Sequence, residues 1–121
     1  VKGSMTKLKS LLPTLKEKKR YLAFEIISKS EIKAFSEVSK AIWTSTLSFA
    51  GTNGVAKMGI WVFPEKFNEQ KGIIRINHKY MEELKASLAL IKEIEQQPAI
   101  VRSTGASGIL AKAEQKYLVG G

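Results

Sequence analysis

The chain has 121 residues, Lys+Arg 20 against Asp+Glu 11, a formal net charge of +9, and no cysteine. That length suits one domain around a single core, and the lack of thiols excludes disulfides and thiolate metal sites. No apolar run approaches the ~20 residues of a membrane span, and the charge favours a polyanionic partner, nucleic acid before an acidic membrane surface.

Val1-Lys2-Gly3-Ser4 ahead of Met5 reads as an expression-tag remnant, residues 5–19 as a basic arm, and residues 20–121 as the domain proper. The arm holds Lys7, Lys9, Lys16, Lys18 and Lys19, with Arg20 next, around Leu11-Leu12-Pro13. No secretory pattern is visible, which points to a cytoplasmic protein.

Tyr21 to Ser28 alternates as a strand, with Leu22, Phe24 and Ile26 on one face and Tyr21, Ala23, Glu25 and Ile27 on the other. The second face is half apolar and needs cover, from the C-terminal helix or from a partner. Ser30 suits an N-cap, and Ile32, Phe35, Val38, Ile42 and Phe49 trace a helical stripe that Gly51 ends. Thr52-Asn53-Gly54 reads as a loop. Trp43 lies off the stripe, either packed on its edge or turned toward a partner.

Gly59 to Phe63 is the next strand, closed by Pro64, and a short polar linker predicts a hairpin into Gly72-Ile73-Ile74-Arg75-Ile76. Asn77 suits a cap for a helix whose apolar face is Met81, Leu84, Leu88, Ile91 and Ile94, ended by Pro98. A strand from Ala99 through Arg102 runs into Gly105-Ala106-Ser107-Gly108, and a helix with Leu110, Ala113 and Tyr117 on one side completes the chain. The fold expected is α+β: a split βαβ sandwich, ferredoxin-like or RRM-like, with a four-stranded antiparallel sheet, helices on one face and an additional C-terminal helix.

Catalysis has little support. His78 is the single histidine, without an evident acid-base partner, and the adjacent Glu82 and Glu83 diverge on a helix. No phosphate loop, zinc spacing or activated nucleophile is present, so neither a catalytic residue nor a bound metal or other cofactor is expected. The aromatic signature of an RRM is also absent, since the strand at Gly72 has no aromatic and Tyr21 and Phe24 face opposite ways. RNA contact is therefore expected through phosphates and shape. Lys16, Lys18, Lys19 and Arg20 form one basic group. Arg102 and Lys112 form a second, around Gly105 and Gly108, where a backbone can come close or the glycines merely serve a tight turn. Arg75 adds a cation to a strand.

Leu12-Pro13-Thr14-Leu15-Lys16-Glu17-Lys18-Lys19-Arg20-Tyr21-Leu22-Ala23-Phe24 resembles the opening of the archaeal ribonuclease P protein component 2 family, related to a eukaryotic subunit shared with ribonuclease MRP. The resemblance continues at Ala41-Ile42-Trp43, at Gly72-Ile73-Ile74-Arg75 and from Ile100 to Ile109. It implies the same fold and a protein cofactor of a ribozyme that removes 5′ leaders from precursor tRNA, with magnesium held by the RNA. It also implies partners: the ribonuclease P RNA, the TIM-barrel-like component 3, and a second copy within a heterotetramer. The half-apolar sheet face, with Tyr21, and the off-stripe Trp43 would then face protein partners. Two other readings share parts of this pattern: a ribosomal or other structural RNA-binding protein, and an ACT-like small-molecule sensor domain.

Overall fold

The alternation of the first strand sets the layers. In this computed structural model, which describes residues 18–119, β1 (Lys19–Ser28) buries Leu22, Phe24 and Ile26 on one face and turns Tyr21 and Ala23 to the other. β1 is central to the sheet, antiparallel to β3 (Lys71–Asn77) on one side and to β5 (Gln97–Ser107) on the other. The short β2 (Trp61–Val62) lies outside β3 and β4 (Glu93–Ile94) outside β5, giving the order β2-β3-β1-β5-β4. The sheet thus has five strands rather than the four expected.

Helices α1 (Phe35–Met58) and α2 (Met81–Ala89) cover the first face. Val38, Ile42, Met58, Leu84 and Leu88 pack there with Leu22, Phe24, Ile26, Ile74 and Ile76. Each such Leu or Ile contributes about 1.5–3 kcal/mol by leaving water. Gly59, in the left-handed region at φ 65°, ends α1.

Of the boundaries that differ from expectation, three have a local reason. Ser30 does not cap α1, which starts at Phe35. The segment before it is held by side chains: the Ser30 N–H donates to Gln97 Oε1 at 3.1 Å, and the Ile32 N–H donates to Gln70 Oε1. At the other end, Gly51 does leave helical geometry, at φ 77° and ψ 170°, but the helix resumes through the expected loop to Met58. Thr46 takes the core position one turn after Ile42, its hydroxyl donating to the Ile42 carbonyl at 2.7 Å, while Phe49 lies exposed. Lastly, α2 stops at Ala89 instead of running to Pro98. Ile91 and Ile94 are buried as expected, but by a loop and strand, and Glu95 and Gln96 (φ 56° and 62°) form the tight turn from β4 into β5. A three-residue step between buried residues fits either geometry, so periodicity does not choose between them.

The C-terminal α3 (Leu110–Ala113) continues in wider π-type turns to Val119 and lies on the second sheet face. Helices therefore cover both faces, not one. Ala113 is buried on Ala23 and Ile73, with Tyr21, Phe63, Leu110, Tyr117 and Leu118 around them. A Lys66–Glu114 ion pair of 2.7 Å fastens this segment to the turn after β2. Among the described residues, no helix is long and apolar enough to cross a membrane.

Candidate nucleic-acid interface

One end of the sheet gathers cations from three separate stretches. β1 begins there with Lys19 opposite Asn77, the last residue of β3, and the His78 N–H donates to the Lys18 carbonyl at 2.9 Å. Asn77 does not cap α2. Its side-chain oxygen accepts a hydrogen bond from the Lys19 ammonium, and its amide donates to the Lys57 carbonyl at 2.8 Å. Asn77 therefore ties the start of β1 to the C-terminus of α1. Lys18 and Arg20 are exposed, Lys19 is half-buried, and Lys57 and Lys79 are exposed beside them. Among the described residues no ion pair involves Lys18, Lys19, Arg20 or Lys57. Cations gathered without such pairing favour an anion as partner.

Of the basic residues singled out in the sequence, Lys18, Lys19 and Arg20 meet at this end, and Lys16 lies outside the described residues. Lys57 and Lys79 were missed. They are remote in sequence, and only the pairing of β1 with β3 and the Asn77 bonds bring them in. The turn at Ser107–Gly108 is at the same end, since Ser107 is opposite Tyr21. The Ser107 hydroxyl oxygen accepts the Ile109 N–H at 3.1 Å, and Lys112 is exposed on α3 just beyond. Gly108 has open space around it, whereas the room at Gly105 is occupied by the protein itself: a Cβ there would lie 2.2 Å from Tyr117 Cζ.

The two strand arginines differ. Arg102 is exposed but ion-paired with Glu25, its opposite number on β1. Arg75 is half-buried on the second face, between Trp61 on β2 and Tyr21 on β1, so that one row of the sheet reads Trp61, Arg75, Tyr21, Ser107. Its Nε is covered and has no hydrogen-bond partner, and no ion pair of Arg75 occurs among the described residues. Trp61 is 48% exposed and meets Phe63 edge-on, with ring centroids 6.5 Å apart. This row escaped sequence reading because it spans four strands, one residue from each.

Tyr21 packs on Phe63 at 6.3 Å under the C-terminal segment, so this chain covers much of it. Trp43 is 38% exposed on α1, with Leu47 also exposed one turn on. His78 is exposed, and no group of three or more His, Cys, Asp or Glu suited to a metal occurs among the described residues.

Comparison with known proteins adds a family. A model of the Rpp14/Pop5 family matches residues 20–118. Ribonuclease P protein component 2 of Thermococcus gammatolerans is 41% identical over 112 residues, which cover 93% of this chain and 92% of the relative. The Pyrococcus horikoshii protein of the same name is 39% identical over 114 residues, 94% of each chain. The Methanocaldococcus jannaschii protein of that name is 39% identical over 111 residues, 92% of this chain and 81% of the relative. Among solved structures, a chain in the cryo-EM structure of yeast ribonuclease MRP shares the fold, with a TM-score of 0.62 at 13% identity over 86% of this chain and 88% of that one.

Proposed function

The chain belongs to the Rpp14/Pop5 family, and on that premise we propose that it binds the catalytic RNA of ribonuclease P and activates it, together with component 3, to remove the 5′ leader of precursor tRNA. The observation that carries RNA binding is the sheet end where Lys18, Lys19, Arg20 and Lys57 meet without paired carboxylates. Cations held at that end by β1, β3 and α1 offset repulsion between phosphates that the folded RNA brings close. Binding the folded form more tightly than the open one shifts the RNA toward it. Less magnesium is then needed for the active conformation. The cleavage chemistry in this account belongs to the RNA and the magnesium ions it holds, and this chain supplies no catalytic group.

Lys16, Arg75, Arg102 and Lys112 extend the proposed RNA-facing surface, with Arg102 weakened by its pairing to Glu25. Gly108 belongs to the same proposal as a point of close backbone approach, because nothing stands against it, whereas the Tyr117 ring fills that space at Gly105 and removes Gly105 from the proposal. Protein partners, component 3 and a second copy in a heterotetramer, are assigned to the outer side of α1. Trp43 and Leu47 present apolar surface there, whereas Tyr21 is mostly covered by its own chain. The strand order β2-β3-β1-β5, with β4 added at the edge, supports the split βαβ reading of the fold.

The test is the salt dependence of binding to ribonuclease P RNA. Replacing Lys18, Lys19 and Arg20 with alanine should weaken binding and flatten the slope of log K against log salt, by up to ~0.9 for each phosphate no longer neutralised. Lys57→Ala should act in the same direction. An unchanged slope would remove this end of the sheet from the RNA interface.

A further inference from the structure

The row Trp61, Arg75, Tyr21 leaves an aromatic ring in solvent beside a guanidinium that no carboxylate neutralises among the described residues. We propose that Trp61 and Arg75 form a binding subsite for one unpaired nucleotide of RNA, its base stacked on the Trp61 indole and its phosphate held by Arg75. This rests on the reading of the chain as an RNA-binding subunit and goes beyond it, since that reading needs only phosphate contacts.

Three observations meet at this place. The Trp61 ring has support from its neighbours. Its strand is paired with β3, residue for residue at Arg75, and Phe63 stands against it edge-on at 6.5 Å. A side chain fixed before binding loses little freedom when a base lands on it. Arg75 is set directly beside it, because cross-strand neighbours in register have Cβ atoms about 4.5–5.5 Å apart. A nucleotide, whose base and phosphate are covalently joined, can engage two such neighbouring side chains at once. The row also adjoins the basic sheet end, since Tyr21 follows Arg20 in β1 and Arg75 is two residues from Asn77 in β3. On the second face Lys19 is two residues from Tyr21, so RNA that follows this face from Lys19 meets Arg75 and then Trp61.

The chemistry selects among occupants. An apolar protein surface laid on Trp61 would bury the Arg75 charge without a counter-ion, which is costly. A duplex offers phosphates but no base face, because its bases are stacked on one another. A base splayed from a loop or a single strand offers both a π-face and a phosphate. Stacking tolerates any base, so the subsite selects unpaired character over sequence.

Trp61 and Trp43 are the two tryptophans of the chain, so Trp43→Phe leaves Trp61 as its sole indole. In that background the emission of Trp61 reports stacking directly. A single-stranded RNA decamer of mixed sequence, the same decamer annealed to its complement, and inorganic polyphosphate would each be titrated at one salt concentration. We expect saturable quenching by the single strand only. Trp61→Ala, read by anisotropy of a labelled decamer, should weaken single-strand binding about five- to a hundredfold, the range of one base stacked on an aromatic ring. Its polyphosphate binding and thermal midpoint should not change, and Trp61→Phe should restore most of the affinity. Arg75→Gln should weaken binding of both single strand and polyphosphate and reduce the salt slope.

Equal quenching by all three probes, or unchanged decamer affinity in Trp61→Ala, would overturn the subsite. If binding still fell when Lys18, Lys19 and Arg20 were replaced, the RNA-binding reading would survive that failure. Absence of binding to any RNA by the folded protein would overturn both.

Discussion

Gly105 shows how a single position couples the sheet to the C-terminal segment. It sits in β5 opposite Ala23, beside an irregularity in the register, and the Tyr117 ring fills the space a side chain would occupy. Gly105→Ala should push the ring off the second face and cost about 1–3 kcal/mol of stability, as overpacking does. With Tyr117→Ala already present the collision is gone, so the same glycine change should cost much less. Denaturant unfolding of the four proteins of that cycle gives the coupling, and strictly additive costs would contradict the contact. This purpose of Gly105 was not legible in the sequence. Gly-x-x-Gly is equally consistent with a turn and with an approaching ligand, and the ring that decides between them is twelve residues further on. Asn77 is a similar case. A polar residue before a helix reads as a cap, yet its amide is taken by Lys19 and Lys57, partners that only the folded chain supplies.

Among the elements, those with strong alternation were legible. Leu22, Phe24 and Ile26 mark one face of β1, and the β-branched run at Ile73 and Ile74 marks a buried strand. Element ends were less legible, because burial at three-residue steps is shared by helices and by loops that fold back, as at Ile91 and Ile94. Covering of the second sheet face was legible as a need, though not as to which of two candidates met it. The C-terminal segment meets it over Tyr21, Ala23 and Ile73, while Ile27 and Ile100, paired in register further along, stay exposed. Deleting residues 110–121 should therefore expose Ala23, Ile73 and Phe63, lower the denaturation midpoint, and raise binding of an apolar dye to the folded state. An unchanged midpoint would mean that the segment does not hold the sheet. The cations gathered at the sheet end were half legible: the run at Lys18 to Arg20 is visible in one stretch, whereas Lys57 and Lys79 arrive through strand pairing and the end of α1.

For the whole molecule, β1, β3 and α1 bring Lys18, Lys19, Arg20 and Lys57 to one end of the sheet in a chain of net charge +9. The aromatic row lies on the second face, next to that end, while Trp43 and Leu47 project from α1. The proposed arrangement is one molecule with an RNA side and a protein side, able to brace an RNA while held by other subunits. On that proposed arrangement, this chain activates a catalytic RNA in company with component 3. The most direct measurement is cleavage of precursor tRNA by the cognate ribonuclease P RNA at limiting magnesium: RNA alone, with this protein, and with this protein plus component 3. Cleavage at the mature 5′ end should need both proteins and should fall when Lys18, Lys19 and Arg20 are replaced. No gain with both folded proteins present would contradict that role.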